Sequence, residues 1–263
     1  MPCLVSVVIA QYLGFGYRRL TDNSYGMITT YPLLFSSNEQ TRQNVIANFD
    51  WLFPNGISPS GFFWDSGEKG NKWYGGDIRK PQAKNWHLIR KSADALYYII
   101  KQFDLMNRQG ITVKPLWENG TRGVADAFVK LWQQNHQFGQ FVDSQTGEIA
   151  VGGSSGGGLA PAALMMASAY YKDKKYEAVA LESAQALYDN FVQKGISCGG
   201  PGDALQNPDS ESQGSPKGKI SPSGERTYQV CKWQGKHPYY LSNVRHGFTA
   251  CGYGQKEGWV WTF

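Results

Sequence analysis

The sequence lacks the residue patterns that build metal, redox and nucleophilic sites. Cys3, Cys198, Cys231 and Cys251 stand far apart, with no pair at the Cys-x-x-Cys spacing, so neither a zinc site nor a redox motif is indicated. The four histidines are scattered and no Gly-x-Ser-x-Gly elbow occurs, so no Ser-His-Asp triad is predicted. The glycine run at 152–158 lacks the Gly-Lys-Ser/Thr ending of a phosphate-binding loop. The sequence therefore indicates no cofactor and no metal.

The sequence also lacks long apolar runs, and most of it carries no excess of charge of one sign. The apolar stretch at the start is too short to span a bilayer and has no basic residue before it, which predicts neither a membrane span nor a signal peptide. Residues 1–211 contain 19 Lys/Arg and 19 Asp/Glu, whereas residues 212–263 contain 7 and 2. A neutral body argues against a nucleic-acid partner. The same contrast divides the chain into a body, 1–211, and a basic, Gly-rich tail, 212–263.

Helical periodicity dominates the body. Hydrophobic residues make up 41% of the chain and charged residues 18%, as in folded globular proteins. Apolar side chains recur at helical spacing, with Asn38 and Asn85 as predicted N-caps. The predicted helices span about residues 38–53, 85–106, 123–135, 159–171 and 176–193. The fold class predicted is mainly α.

The order of the helices predicts more than helical content. Residues 160–170 are apolar or small on nearly every side, which is typical of an inner helix, whereas residues 176–193 carry a polar face and should form an outer helix. Such hairpins are the unit of an α/α toroid, here incomplete because five or six helices are found where a full ring needs twelve. We also expect a short strand at 61–64, a β-hairpin turning at 145–147, and short tail helices at 227–233 and 239–244.

A glycine-rich loop after the last predicted outer helix carries three carboxylates, Asp203, Asp209 and Glu211. In a toroid, this is where the next inner helix should begin. Glycoside hydrolysis needs two carboxyl groups, about 5–5.5 Å apart for retention and about 6.5–9.5 Å apart for inversion. Alternatively, Asp209 only caps the following helix, with Glu211 in its first turn.

A second loop, residues 62–77, combines aromatic and acidic side chains. Trp64, Trp73 and Tyr74 could stack on sugar rings, while Asp65 and Glu68 could accept hydrogen bonds from hydroxyl groups. We include Asp65 among the candidate catalytic carboxylates. The alternative is a lid whose aromatic side chains pack on the helices.

Three further candidates for substrate binding lie near helix starts. His87 and Trp117 are predicted substrate contacts, and Arg122 could bind the carboxylate of an acidic sugar. The alternatives are a structural histidine and a surface arginine.

The segments 86–92, 140–158 and 200–212 resemble glycoside hydrolases of the six-hairpin, (α/α)6-toroid type from polysaccharide-degrading bacteria. The resemblance covers about residues 24–212. It implies a carbohydrate-active enzyme in the periplasm or outside the cell, but it identifies no sugar and transfers no catalytic residue. Those proteins continue with further hairpins after the segment that matches 209–212. We therefore expect a partial or divergent member, with its gene or reading frame interrupted near Ser212.

The leading prediction is hydrolysis of glycosidic bonds in a poly- or oligosaccharide by Asp209, Glu211 and Asp65. A polysaccharide lyase on the same fold is the first alternative, with His87 as base and Arg122 neutralising a uronate. A non-catalytic carbohydrate-binding remnant is the second. The partner in each case is a carbohydrate, and the sequence predicts no oligomeric state.

Overall fold

A computed structural model describes residues 31–68, 72–76, 83–200, 205–206 and 208, together with the strand segments 218–220, 226–229 and 260–261. Asp203, Asp209, Glu211 and the predicted helix at 239–244 lie outside the described residues. The described part is mainly helical with small antiparallel sheets, which confirms the predicted class.

In the part of the chain that the structure describes, five α-helices follow a short 3-10 helix at Tyr31–Phe35. They are α1 (Glu39–Leu52), α2 (Ile89–Arg108), α3 (Pro115–Asn135), α4 (Ala160–Tyr171) and α5 (Lys174–Leu187), the last extended by a π-helical turn at Tyr188–Val192. The strands are β1 (Ser66–Glu68), β2 (Lys72–Tyr74), β3 (Trp86–Leu88), β4 (Phe141–Asp143), β5 (Ile149–Val151), β6 (Gly218–Ile220), β7 (Arg226–Gln229) and β8 (Val260–Trp261).

The helices form two adjacent hairpins, α2–α3 and α4–α5. The first helix of each hairpin packs along the other, and α3 packs against α5 on the outside. Most of α4 is buried, as predicted for an inner helix, whereas α5 exposes one face. The turn between these two helices is short, because only residues 172 and 173 separate them. Asp173 caps α5 by accepting a hydrogen bond from the backbone N–H of Lys175 at 3.2 Å.

The three-stranded sheet β3-β4-β5 lies at the end of the bundle where α2 and α4 begin. The predicted hairpin is confirmed as β4–β5, and β3 adds a third strand by pairing with β4 from Trp86 opposite Asp143 to Leu88 opposite Phe141. The prediction that Asn85 caps α2 was therefore wrong. Leu88 precedes the first turn of α2 without a side-chain cap, because the three residues before Ile89 are used in the sheet.

Other predicted boundaries also moved. The strand expected at 61–64 was wrong: only Phe63 takes part in a bridge, with Ile57, and the strand forms at 66–68, where it pairs with 72–74. The helix expected from 123 starts at Pro115, because a proline suits the first turn of a helix. The helix expected at 227–233 was wrong as well, since Arg226–Gln229 pairs with β6 and β8.

Candidate functional site

Asp65 is held in a buried network at the junction of β3 and α2. Its Oδ1 lies 2.6 Å from His87 Nδ1 and accepts the backbone N–H of Leu88 at 3.0 Å. Its Oδ2 lies 3.2 Å from Lys91 Nζ. With these three contacts, this carboxylate is largely committed to partners within the protein.

The network continues through His87 to Ser92. His87 Nε2 lies 2.7 Å from Ser92 Oγ, which also accepts the backbone N–H of Phe63 at 3.1 Å. Either the Ser92 hydroxyl or the His87 Nε2–H is the donor in this bond, depending on the tautomer of the imidazole. The structure thus brings together a Ser-His-Asp arrangement that the sequence did not predict.

Burial excludes nucleophilic catalysis by this arrangement. Both His87 and Ser92 are 0% exposed, and a nucleophile has to reach its substrate. The three side chains instead connect residues 63–65 to β3 and to the first turn of α2. His87 is thus fully buried within this frame, the position expected for the structural alternative to substrate binding.

The charge of Asp65 is stabilised despite its burial. Burial alone would raise the pKa of this carboxyl, but the positive charge of Lys91 and the hydrogen bonds from His87 and Leu88 outweigh that effect and lower it. Asp65 is therefore an ionised group of the folded frame at neutral pH.

In the aromatic loop, the side chain of Trp73 packs against the protein. The Trp73 ring lies 4.4 Å from the Trp51 ring on α1, centroid to centroid, and it also contacts the Gly67 backbone. Trp64 and Tyr74 are half-buried. For Glu68 the structure describes only the backbone, which pairs with Lys72 in the β1–β2 hairpin. One face of Trp73 is thus used inside the protein, as in the lid alternative.

Trp117 lies in the hydrophobic core. It is 0% exposed, its ring packs 5.1 Å from Phe49, and its Nε1–H donates to Asp50 Oδ1 at 3.1 Å. Its side chain has no surface to offer to a ligand. The sequence could not distinguish this residue from a surface tryptophan, because Glu118, Asn119 and Gly120 follow it.

Arg122 lies at the opposite end of the bundle from β3. It is exposed, pairs with Asp173 Oδ2 at 3.2 Å in the α4–α5 turn, and sits over the Tyr171 ring at 5.5 Å. The length of α4, twelve residues or about 18 Å, separates this turn from the start of the inner helices. The structure therefore does not bring Arg122 and His87 together.

The segment that leads to the predicted carboxylates is anchored where α2 and α4 begin. We call residues 197–208 the strap; the structure describes 197–200, 205, 206 and 208 of it. The backbone N–H of Ser155 donates to the Cys198 carbonyl at 3.1 Å, and the Cys198 N–H donates to Ser155 Oγ at 3.0 Å. Ser154 Oγ donates to the same carbonyl at 3.0 Å. These bonds fix the strap on the glycine run just before α4.

A second group of contacts holds the strap further along. Gln206 donates its backbone N–H to Gln140 Oε1 at 2.8 Å and its Nε2–H to the Gly152 carbonyl at 2.6 Å. Pro208 forms an antiparallel bridge with Cys198. The strap is thus held at both of its described ends by the β4–β5 hairpin and the glycine run.

The glycine run permits this close approach. A Cβ at Gly156 would lie 2.6 Å from the Gly199 carbonyl oxygen, and a Cβ at Gly199 would collide with the Ser154 side chain. Gly199 also has a φ of 78°, in the left-handed region. The run therefore serves close backbone-to-backbone packing with the strap.

Arg90 and Asp94 on α2 face this anchored segment and were missed by the sequence analysis. Arg90 Nε–H donates to the Gly200 carbonyl at 2.9 Å, and its Nη1 lies 3.7 Å from Asp94 Oδ2. The two side chains retain 17% and 11% of their surface. A charged pair four residues apart, next to the buried Ala93 and Ala95, could have indicated them.

The comparisons with known proteins identify no family: no protein-family model and no curated protein matches the chain. In the part of the chain that the structure describes, no helix is long and apolar enough to cross a membrane.

Proposed function

We propose that this chain hydrolyses glycosidic bonds in a poly- or oligosaccharide, at the end of the bundle where α2 and α4 begin. The observation that carries the proposal is the anchoring of the strap at this end. Gly200 is hydrogen-bonded to Arg90, and Pro208, which precedes Asp209 in the chain, is bridged to Cys198. Two inner helix starts, a charged pair and the described part of the strap thus belong to one region, and in the sequence the acidic residues follow from it.

The arrangement of the helices is consistent with this location. Two consecutive hairpins with their first helices packed side by side, and their second helices outside, form the repeating unit of the (α/α)6 toroid that the sequence resembles. In such a ring, the starts of the inner helices surround one end of the central cavity. Clefts between helices are common ligand sites in helical proteins.

The chemistry assigned to the site is acid–base hydrolysis by two carboxyl groups. One protonates the leaving oxygen, and the other acts as the nucleophile or activates a water molecule. Asp209 and Glu211 are our candidates for the pair, with Asp203 as a substrate contact. We assign Asp65 to the frame, because its carboxylate already contacts His87 and accepts hydrogen bonds from Leu88 and Lys91.

The lyase alternative is disfavoured by the positions of its two key residues. His87 is fully buried between Asp65 and Ser92, so it cannot take a proton from a substrate. Arg122 pairs with Asp173 at the other end of α4, too far from the strap to neutralise a uronate there.

The test is the release of reducing ends from a panel of neutral and uronate-containing polysaccharides. We expect release by the full chain, and at least a 100-fold lower rate for Asp209→Asn and Glu211→Gln. Glu148→Gln, an exposed carboxylate on the β4–β5 hairpin, is the control and should retain full activity.

Two results would count against hydrolysis, and a third against the assigned carboxylates. Ultraviolet absorbance of unsaturated products would indicate a lyase. Glycan binding without release of reducing ends would indicate the non-catalytic alternative. Full activity of both carboxylate variants would refute the assigned pair.

A further inference from the structure

The α2 helix has two opposed faces of different chemistry. At about 100° per residue, Leu96, Ile99 and Phe103 share one face. All three are 0% exposed. Phe103 contacts Phe49 of α1 at 5.6 Å and Tyr170 of α4 at 6.0 Å between ring centroids. This face is ordinary core, packed against the neighbouring helices.

From Arg90 to Lys101 the opposite face is polar, and it is half-buried except at Asp94, which is buried. Arg90, Asp94, Tyr98 and Lys101 fall within about 80° of one another and roughly opposite the apolar face. Asp94 is 8% exposed as a residue. Taking a carboxylate out of water costs several kcal/mol and is tolerated where charges and donors compensate it. Arg90 supplies such compensation for Asp94, and the ladder as a whole concentrates charged and hydrogen-bonding groups on one side of the helix.

Charge and hydrogen-bonding capacity along the ladder suit a hydroxyl-rich ligand. Arg90 supplies a positive charge 3.7 Å from the Asp94 carboxylate and is fixed by its bond to Gly200. Burial is the main cause that raises the pKa of Tyr98 to about 12, and the charges of the nearby Asp94 and Tyr31 add to it. The phenol therefore stays a neutral hydrogen-bond donor. An acceptor carboxylate and a neutral donor one turn apart match the paired hydroxyl groups of a sugar ring.

The lower part of the ladder is closed by aromatic rings. Lys101 Nζ lies 4.8 Å from the centroid of Tyr31 and 5.8 Å from that of Tyr98, and the two rings meet edge to face at 6.2 Å. At the upper end, Arg90 is hydrogen-bonded to Gly200 of the strap and pairs with Asp94. The ladder thus runs from an end closed by aromatic rings to the strap. In the sequence, the strap leads to the candidate catalytic carboxylates.

We propose that the polar face of α2 is part of the sugar-binding surface, with Asp94 accepting hydrogen bonds from substrate hydroxyl groups and Arg90 positioning its carboxylate. This inference rests on the proposed function for the nature of the ligand. It assigns Asp94 to binding and leaves bond cleavage to the carboxylates beyond the strap.

The helix provides its own control. Asp104 also pairs with an arginine four residues away, at 2.6 Å from Arg108, but both side chains are more than half exposed. Asp94→Asn and Asp104→Asn therefore make the same chemical change in the same helix, once on the polar ladder and once in solvent.

The experiment measures binding of both variants and of the unchanged chain to immobilised neutral and uronate-containing oligosaccharides, and KM and kcat on the best polysaccharide of the panel. We expect Asp94→Asn to weaken oligosaccharide binding and to raise KM at least 10-fold, with a melting temperature within about 2 °C of the unchanged chain. We expect Asp104→Asn to leave binding and KM unchanged. A purely structural role for Asp94 would instead lower the melting temperature and leave KM unaltered.

The outcomes separate this inference from the proposed function. Equal binding and KM for the two variants would overturn the inference, even if the chain hydrolyses the polysaccharide. Loss of binding only in Asp94→Asn would support it, even if the chain releases no reducing ends and hydrolysis is refuted. If Asp94→Asn does not fold, Tyr98→Phe decides: a KM or dissociation constant raised at least 3-fold supports the inference, and an unchanged value overturns it.

Discussion

The substitution Asp65→Asn tests whether the buried network stabilises the frame of the site. The carboxylate has three partners: His87 Nδ1 at 2.6 Å, the Leu88 N–H at 3.0 Å and Lys91 Nζ at 3.2 Å. Breaking a buried ion pair by removing one partner costs about 3–5 kcal/mol. Because an amide oxygen can still accept the Leu88 N–H, we expect the lower end, about 3 kcal/mol.

The assay is urea unfolding at pH 7, followed by tryptophan fluorescence. With a urea dependence of about 3 kcal/mol/M, a loss of about 3 kcal/mol lowers the unfolding midpoint by about 1 M. Asp104→Asn, which breaks an exposed pair with Arg108, should change the free energy of unfolding by less than about 0.5 kcal/mol. A loss below 0.5 kcal/mol for Asp65→Asn would refute the stabilising role of the network.

The loss of stability caused by Asp65→Asn should become smaller as the pH falls. The pKa of Asp65 is lowered in the folded protein from its ordinary value of 3.8. The stabilisation that ionised Asp65 provides is therefore fully present above the ordinary pKa. It is lost as the pH falls through the lower pKa of the folded state. The difference in stability between the unchanged chain and Asp65→Asn should narrow below about pH 4; a difference that widens there would contradict the lowered pKa.

Three further substitutions test the frame, the strap and the far end of the bundle. Ser92→Ala should reduce the free energy of unfolding by about 1–3 kcal/mol without lowering kcat, and a fluorophosphonate serine probe should not label the unchanged chain; labelling would show that Ser92 is accessible. Gly199→Ala should lower both stability and activity, because the new Cβ meets the Ser154 side chain. Gly195→Ala is the control, because Gly195 also has a positive φ but a Cβ there would have no atom within 4 Å. It should reduce the free energy of unfolding in urea by only about 1 kcal/mol and keep activity. Arg122→Ala should leave kcat and KM on uronate-containing polysaccharides unchanged; a raised KM would restore a role in acidic-sugar binding.

The helices were predictable because their apolar spacing is local information. The inner character of α4 follows from small and apolar residues on all sides, and the structure buries most of them. The start of α2 was not predictable in the same way. Asn85 is a good capping residue, but pairing of 86–88 with β4, more than fifty residues later, decided the boundary.

The site residues illustrate the same limit. Asp65 and His87 are twenty-two residues apart in the sequence, and nothing in their local surroundings indicates that they meet. The position of Trp117 depended on Phe49 and Asp50 of another helix. Arg90 and Asp94, by contrast, could have been found from a charged pair four residues apart beside the small apolar residues Ala93 and Ala95.

Hydrogen exchange with bound sugar tests the location of the site most directly. The oligosaccharide that binds best is added to the full chain, and amide protection is compared with and without it. The account predicts new protection in peptides that cover 89–98 and 197–211, and none in the α4–α5 turn around Asp173. Protection confined to that turn, or none in α2 and the strap, would contradict it.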